Sequence, residues 1–80
     1  MTSIKITYFA ALREARGLAE ETFETKALTA KALLHELKEK HHWSLSEKTI
    51  RVAINDYFQS ADTPLKDGDR VVFVPPVSGG

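Results

Sequence analysis

Cysteine is absent from this chain of 80 residues, and that absence excludes several kinds of chemistry. Without thiols there is no disulfide framework, no thiolate zinc site, no iron–sulfur cluster and no cysteine nucleophile. An excess of charge is also lacking, because eleven Lys and Arg residues balance eleven Asp and Glu residues. A neutral chain without a basic face has no electrostatic basis for sequence-independent binding to nucleic acid. We therefore expect no nucleic-acid partner.

Long hydrophobic stretches are lacking as well. No window approaches the roughly 18 apolar residues of a membrane span, and the first residues alternate between polar and apolar instead of forming the apolar stretch of a signal peptide. We expect a soluble, cytoplasmic protein without membrane contact. The length allows one compact domain, and 42% hydrophobic with 28% charged residues is an ordinary globular composition.

The spacing of apolar residues predicts an α+β fold, in which one long helix packs across a mixed sheet. Five segments read as strands: 4–9, 18–25, 50–54, 57–58 and 70–74. A short helix over 10–16 is expected to end at Gly17, and a long helix over about 30–41 is expected to begin after Thr29 as its N-cap. The long helix presents one apolar stripe, formed by Ala30, Leu33, Leu34 and Leu37. This stripe and the apolar faces of the first and last strands are the only core that the pattern predicts.

Composition also indicates where individual strands lie. Glutamates alternate with β-formers in 18–25, which is typical of an edge strand, whereas the apolar run at 71–74 suits a strand in the centre of the sheet. Asn55-Asp56 and Asp67-Gly68 are turn signals. The segment 43–48 is expected to be a loop with one helical turn at most.

Three histidines, His35, His41 and His42, are the first candidates for catalysis or metal binding. They lie on or beside the long helix, and none has an evident serine or carboxylate partner. His35 and His42 are seven residues apart, or about 10 Å along a helix, which is too far for one zinc ion. We expect these side chains to be solvated at the helix end, where cations are favoured, and we expect no metal site.

The carboxylates are likewise better explained by structural positions than by a catalytic or metal site. One group lies on the predicted edge strand and a second in a turn: Glu20, Glu21 and Glu24, and Asp67 and Asp69. The first group is typical of a solvated face, and the second matches only part of a calcium loop. Neither group predicts catalysis.

The last ten residues differ from the rest because none of them is charged. Pro75 and Pro76 favour an extended backbone, so we expect a domain over 1–74 followed by a stiff tail over 75–80. Six residues at about 3.3 Å each reach roughly 20 Å, which is enough to enter the pocket of another protein. Gly79 and Gly80 have the smallest cross-section that a peptide can have. Glycines also commonly end frayed termini, but the prolines and the lack of charge favour a functional tail.

The reactive group of such a tail is its terminal carboxylate. A carboxylate needs activation, commonly by ATP, which yields an acyl adenylate. A sulfur nucleophile that displaces AMP then leaves a thiocarboxylate, so that a chain without cysteine can still carry sulfur.

Residues 65–80, LKDGDRVVFVPPVSGG, closely resemble the C-terminal signature of MoaD-type sulfur carriers, the small subunits of molybdopterin synthase. Residues 9–14, FAALRE, are similar to the first strand-to-helix junction of that family, and residues 52–55, VAIN, to its middle strand and turn. The resemblance extends over the whole chain, with the most specific part at the C-terminus.

The resemblance implies a ubiquitin-like β-grasp fold and a reaction cycle. An E1-like partner adenylates Gly80 with ATP, and sulfur is installed there as a thiocarboxylate. The carrier then docks on the large synthase subunit in a heterotetramer and donates sulfur to cyclic pyranopterin monophosphate. By this resemblance the chain is not an enzyme by itself, because the catalytic side chains belong to the large subunit. It would bind no cofactor, and ATP would be used by the activating partner.

The resemblance also assigns roles to residues of this chain. Gly80 would carry the sulfur, and Gly79 would give clearance in a narrow channel. The rest of the tail would line that channel: Pro75, Pro76, Val77 and Ser78. Phe9, Phe58 and Val74 match positions near the sheet surface that meets partners, although apolar residues at strand ends also serve as ordinary core.

Three other functions remain open at this point. A ubiquitin-like modifier would use the same activated Gly80 to form an amide with a lysine of a target protein. A sulfur carrier of thiamin biosynthesis also ends in Gly-Gly, although Pro75-Pro76 favours the molybdopterin branch. In a plain interaction domain, the tail would have no role.

Overall fold

A computed structural model describes residues 2–43 and 47–75, which form five strands, two α-helices and one 3₁₀ turn. The strands are β1 (Thr2–Tyr8), β2 (Glu20–Thr25), β3 (Arg51–Ile54), β4 (Tyr57–Gln59) and β5 (Arg70–Val74). The helices are α1 (Ala10–Arg16) and α2 (Ala30–His41), and the 3₁₀ turn is Glu47–Thr49. Every predicted element is present, with boundaries that differ by two residues at most. No helix in the described ranges is long and apolar enough to cross a membrane.

The five strands form one mixed sheet in the order β2-β1-β5-β3-β4. β1 and β5 run parallel, whereas the three other pairs of neighbours are antiparallel. The glutamate-rich β2 lies at an edge and the apolar β5 at the centre, as the sequence predicts. With α2 packed against one face, this is the ubiquitin-like β-grasp arrangement that the resemblance implied.

The end of α1 and the start of α2 lie where their predicted capping residues place them. The side chain of Thr29 accepts a hydrogen bond from the Ala32 N–H at 3.1 Å, which satisfies one of the free donors at the start of α2. Gly17 ends α1 in the left-handed conformation, with φ of 84°. His42 ends α2 in the same conformation, with φ of 58°, and the next residue, Trp43, turns back toward the sheet.

The core lies between α2 and the sheet and is larger than the sequence pattern predicts. The predicted helix stripe is buried against Ile4, Ile6, Tyr8, Val71 and Phe73 of β1 and β5. Five further residues join this core: Leu12, Phe23, Ile50, Val52 and Ile54. Val52 and Ile54 join because β3 lies beside the central β5, so alternate residues of β3 also face the helix. Leu12 and Phe23 join from α1 and β2, and Ile50 lies just before β3. Each large apolar side chain buried in this way stabilises the fold by about 1.5–3 kcal/mol.

Two predicted turns, the one between β3 and β4 and the one before β5, are joined by hydrogen bonds. Asn55 and Asp56 both have positive φ, 51° and 76°, which is the geometry of a two-residue hairpin turn. The Asp69 carboxylate accepts hydrogen bonds from Asn55 Nδ2 at 2.9 Å and from the Lys66 N–H at 2.8 Å. Asp69 therefore joins the β3–β4 turn to the turn before β5, a structural role that agrees with its prediction as a turn residue.

Candidate functional site

The central strand β5 leads directly into the predicted tail. Tyr8 pairs with Phe73, so the parallel strands β1 and β5 finish at the same end of the sheet. Val74 is the last residue of β5 at that end. Pro75 follows and is buried, so the first residue of the predicted tail packs against the domain. The other predicted tail residues lie outside the described ranges: Pro76, Val77, Ser78, Gly79 and Gly80.

The sheet face opposite α2 carries a continuous row of side chains beside this exit point. Phe58 of β4 pairs with Ala53 of β3, Ala53 with Val72 of β5, and Val72 with Thr7 of β1. These residues alternate with the core residues of their strands, so their side chains point away from α2. We call this surface, with Phe9 and Val74, the outer face.

Phe9 and Val74 extend the outer face to the end of β1 and β5. Phe9 keeps an extended backbone, with φ of −121° and ψ of 153°, so its side chain points opposite to that of the buried Tyr8. Phe9 is 50% exposed and Phe58 61% exposed, whereas Val74 is half-buried. The structure thus places Phe9, Phe58 and Val74 on one surface and outside the core cluster. Their contact with a partner stays a prediction.

Arg51 is a residue of this surface that the sequence did not single out. It pairs with Val74, and its guanidinium lies 4.7 Å from the centroid of the Phe58 ring. Among the described residues no carboxylate forms an ion pair with it. An exposed cation over an exposed aromatic ring gives an apolar surface one positive site. Only the cross-strand register brings these residues together, and the local sequence around Arg51 contains no sign of it.

A polar cluster lies at the same end of the sheet, on the side of α2. Tyr8 donates a hydrogen bond from its hydroxyl to Glu21 Oε2 at 2.6 Å. Arg16 donates from Nε and Nη2 to both oxygens of the same carboxylate, at 2.7 and 2.9 Å. The hydrogen bonds from Arg16 lower the pKa of Glu21 although burial opposes this, and burial together with Glu21 raises the pKa of Tyr8. Glu21 is therefore an ionised acceptor shared by two elements.

This cluster corrects the prediction that all three glutamates of β2 form a solvated face. Glu20 and Glu24 are exposed, but Glu21 points to the same side as Phe23 and is partly buried. The Gly17 turn brings Arg16 back toward β2, so the two residues meet across a chain reversal. A separation of five residues matches neither the periodicity of a helix nor that of a strand. The pair is therefore not evident in the sequence.

His41 and Trp43 cover this cluster. Their ring centroids are 5.4 Å apart, and Trp43 meets Tyr8 edge to face at 5.9 Å. His41 Nε2 and Trp43 Nε1 are buried, and neither has a hydrogen-bond partner in the part of the chain that the structure describes. Burial lowers the pKa of His41, and the charge of Arg16 acts in the same direction.

The prediction of solvated histidines is thus correct for His35 and His42, which are exposed, and wrong for His41. His41 is partly buried because the left-handed residue His42 folds Trp43 back over it. The expectation that no histidine has a carboxylate partner is also wrong, since His35 Nε2 lies 3.1 Å from Glu39 Oε1, one helical turn further on. Within residues 2–43 and 47–75, no three His, Asp or Glu side chains are grouped to hold a metal ion.

Comparison with known proteins agrees with this geometry. The model of the ThiS family matches residues 6–80. The molybdopterin synthase sulfur carrier subunit of Escherichia coli (strain K12) is 36% identical over 80 residues, which covers 96% of this chain and 99% of the relative.

Two solved structures share the fold over nearly the whole chain. One is the complex of subunits 1 and 2 of the molybdopterin-converting factor from Helicobacter pylori, with a TM-score of 0.64, 32% identity, and coverage of 99% of this chain and 100% of the other. The other is small archaeal modifier protein 1 from Methanosarcina acetivorans, with a TM-score of 0.77, 29% identity, and coverage of 100% and 98%. With a family match over almost its entire length, the chain belongs to the ThiS family.

Proposed function

We propose that this chain is the sulfur carrier subunit of a molybdopterin synthase. The observation that carries the proposal is the similarity to the Escherichia coli sulfur carrier subunit, which extends over nearly the full length of both chains. The complex of the two Helicobacter pylori subunits supports a large synthase subunit as the partner. We expect the cycle to take place in the cytoplasm, where an activating enzyme has access to ATP.

In this proposal the carboxylate of Gly80 is the reacting group. Bound to an E1-like partner, it attacks the α-phosphate of ATP, and pyrophosphate leaves as the acyl adenylate forms. A sulfur nucleophile then displaces AMP and leaves a thiocarboxylate. On the large subunit, sulfur passes to cyclic pyranopterin monophosphate, and water restores the carboxylate. Two such transfers supply the two sulfurs of the dithiolene.

This chain's own contribution is to present and hold the tail. Pro75 is buried at the end of the central strand, which fixes the root of the tail on the sheet. Pro76, Val77, Ser78 and Gly79 would occupy a channel of the partner, where uncharged residues cost little to desolvate. Catalytic side chains would belong to the large subunit, and no cofactor would be bound by the carrier.

The outer face would be the surface that docks on these partners. Phe9 and Phe58 present exposed aromatic rings, and Val74 connects them to the root of the tail. Exposed aromatic rings gathered on one surface are typical of protein interfaces, in which a few buried aromatic anchors carry most of the binding energy. Docking there would place the tail at the entrance of the channel.

Reconstitution tests the proposal directly. The chain bearing a Gly80 thiocarboxylate is mixed with a large synthase subunit and cyclic pyranopterin monophosphate, and formation of molybdopterin is measured. The control lacks Gly79 and Gly80, which follow the described residues, and we expect it to fold normally. We expect product only with the thiocarboxylated full chain. Equal product from the shortened chain would refute the proposal.

A second candidate function is protein modification, which the likeness to the modifier protein of Methanosarcina acetivorans favours. Activated Gly80 would then form an amide with a lysine of a target protein. Intact mass of the protein recovered from its own cells distinguishes the two functions. Replacement of one oxygen by sulfur supports the carrier, and conjugates to other proteins support the modifier.

A further inference from the structure

The two edges of the sheet differ in character. β2 carries the exposed Glu20 and Glu24, and exposed charges of this kind discourage another strand from pairing with an edge. β4 carries no charged residue, and its Tyr57 is 73% exposed beside the exposed Phe58. Within the described residues, β4 pairs only with β3. The apolar edge is therefore the one that is open to a further strand.

The backbone of Phe58 faces this open edge. The Asn55 N–H donates to the Arg70 carbonyl at 2.8 Å, which places Asn55 in a hydrogen-bonded pair with β5. Because such pairs alternate along an antiparallel strand, the N–H and C=O of Ala53 also point to β5 and not to β4. Ala53 and its partner Phe58 are then a pair without mutual hydrogen bonds. The N–H and C=O of Phe58 consequently point away from the sheet.

The surroundings of β4 indicate what kind of strand would fit. A depression of about 470 Å³ lies between α2, β3 and the segment that follows β4. Its apolar lining consists of Leu34, Ile50, Val52 and Ala61, and its charged lining of Lys31, Lys48 and Asp62. An added strand would direct alternate side chains to this depression and to the outer face.

The charged side chains near this edge are mainly positive. Lys31 and Lys48 line the depression, and Arg51 lies over Phe58 on the outer face without a carboxylate partner in the described ranges. Asp62 is the one acidic residue among the described residues that line the depression. Among the described residues, the depression thus has two cations and one carboxylate, and Arg51 adds a cation on the outer face, while the Asp56 carboxylate in the β3–β4 turn is paired with Arg70. This excess of positive charge favours a segment that carries both apolar and acidic side chains.

We propose that β4 accepts an extended, acidic segment of the protein that receives the tail, which joins the sheet as a sixth strand. This deepens the proposed function and rests on it. The N–H and C=O of Phe58 exchange two hydrogen bonds with the incoming strand, and its ring packs against a side chain of that strand on the outer face. The interface thus continues from the outer face around the edge of the sheet.

Backbone methylation provides a selective test. An 80-residue chain can be assembled by chemical synthesis, which allows N-methylation of Phe58 without any change to its ring. The matched control is N-methylation of Thr22. The Tyr8 N–H donates to the Ala19 carbonyl at 2.8 Å, and alternation from that pair directs the Thr22 N–H outward at the β2 edge. Neither methyl group removes a hydrogen bond within the sheet, and circular dichroism verifies the fold of both chains.

Affinity for the large synthase subunit is measured by titration calorimetry. We expect the dissociation constant to rise about tenfold or more for N-methyl Phe58, and to stay within about twofold for N-methyl Thr22, because only the first methyl group blocks the added strand. Equal affinities of the two methylated chains overturn the proposal. Failure of the unmodified chain to bind overturns the proposed function as well, so the two failures are distinguishable.

A charge reversal tests the acidic character of the segment. The test variant is Lys31→Glu, because Lys31 lines the depression. The control variant is Lys26→Glu, because Lys26 is exposed and directly follows β2. We expect Lys31→Glu to weaken binding several-fold at low salt, with the difference reduced at high salt. Unchanged affinity in Lys31→Glu overturns the proposal that the added strand is acidic.

Discussion

The carboxylate of Glu21 is expected to be the polar group on which the stability of the fold depends most. It accepts three hydrogen bonds, from the Tyr8 hydroxyl and from two nitrogens of Arg16. The side chain of Glu21 is only 15% exposed and that of Arg16 26%, so water replaces these contacts poorly. Glu21→Ala leaves the Tyr8 hydroxyl without an acceptor and the guanidinium without its counter-charge.

The magnitudes follow from these contacts. Tyr8→Phe removes one hydrogen bond to a charged group, which costs about 1.5–3 kcal/mol. Glu21→Ala also breaks the partly buried ion pair, and we expect a loss of about 3 kcal/mol, the low end for a buried pair because this one is partly exposed. In a domain of this size, a loss of about 3 kcal/mol lowers Tm by about 12–24 °C. The double variant should lose little more than Glu21→Ala alone, so that the coupling is about 1–2 kcal/mol.

Urea unfolding at pH 7, followed by the fluorescence of the single Trp43, measures all four members of this cycle. Glu24→Ala is the matched control, because Glu24 lies on the same strand and is exposed, and we expect it to change stability by less than about 0.5 kcal/mol. If the losses of Tyr8→Phe and Glu21→Ala add without coupling, the two side chains do not interact as the geometry requires. The reasoning would then be refuted.

Three further predictions concern other parts of the fold. Because burial lowers the pKa of His41 from its ordinary 6.5, the unfolded chain binds this proton more tightly, and the free energy of unfolding should fall as the pH drops below 6.5. His41→Phe should remove that fall in urea titrations between pH 7 and 5. Ala10 has φ of 48°, so Ala10→Gly should relieve backbone strain and raise stability by about 0.5–1 kcal/mol in thermal unfolding. Asp69→Ala removes two hydrogen bonds and should cost about 1–3 kcal/mol, with faster amide exchange at Lys66.

The elements of the fold could be predicted from the sequence because each has a local cause. Thr29 caps α2 through its own side chain, Gly17 ends α1 with a positive φ, and Asn55-Asp56 forms the hairpin turn. The edge position of β2 follows from its glutamates. These features depend on a few adjacent residues, so their pattern is visible without knowledge of the tertiary structure.

The details of the site depend instead on residues that are distant in the sequence. Arg51 meets Phe58 only through the hairpin register, and Arg16 meets Glu21 only because the chain reverses at Gly17. His41 carries no local sign of burial, since the residue that covers it, Trp43, lies beyond the helix end. Phe9 and Phe58 could be placed near a partner surface only by resemblance, because an apolar residue at a strand end is equally typical of a core.

The parallel pairing of β1 and β5 has a mechanical consequence. Force applied between the start of β1 and the tail would stretch these two strands past one another, because the tail leaves from the far end of β5. The hydrogen bonds between them would then carry the load together instead of breaking one by one. We therefore expect the domain to resist unfolding when it is pulled by its C-terminal end.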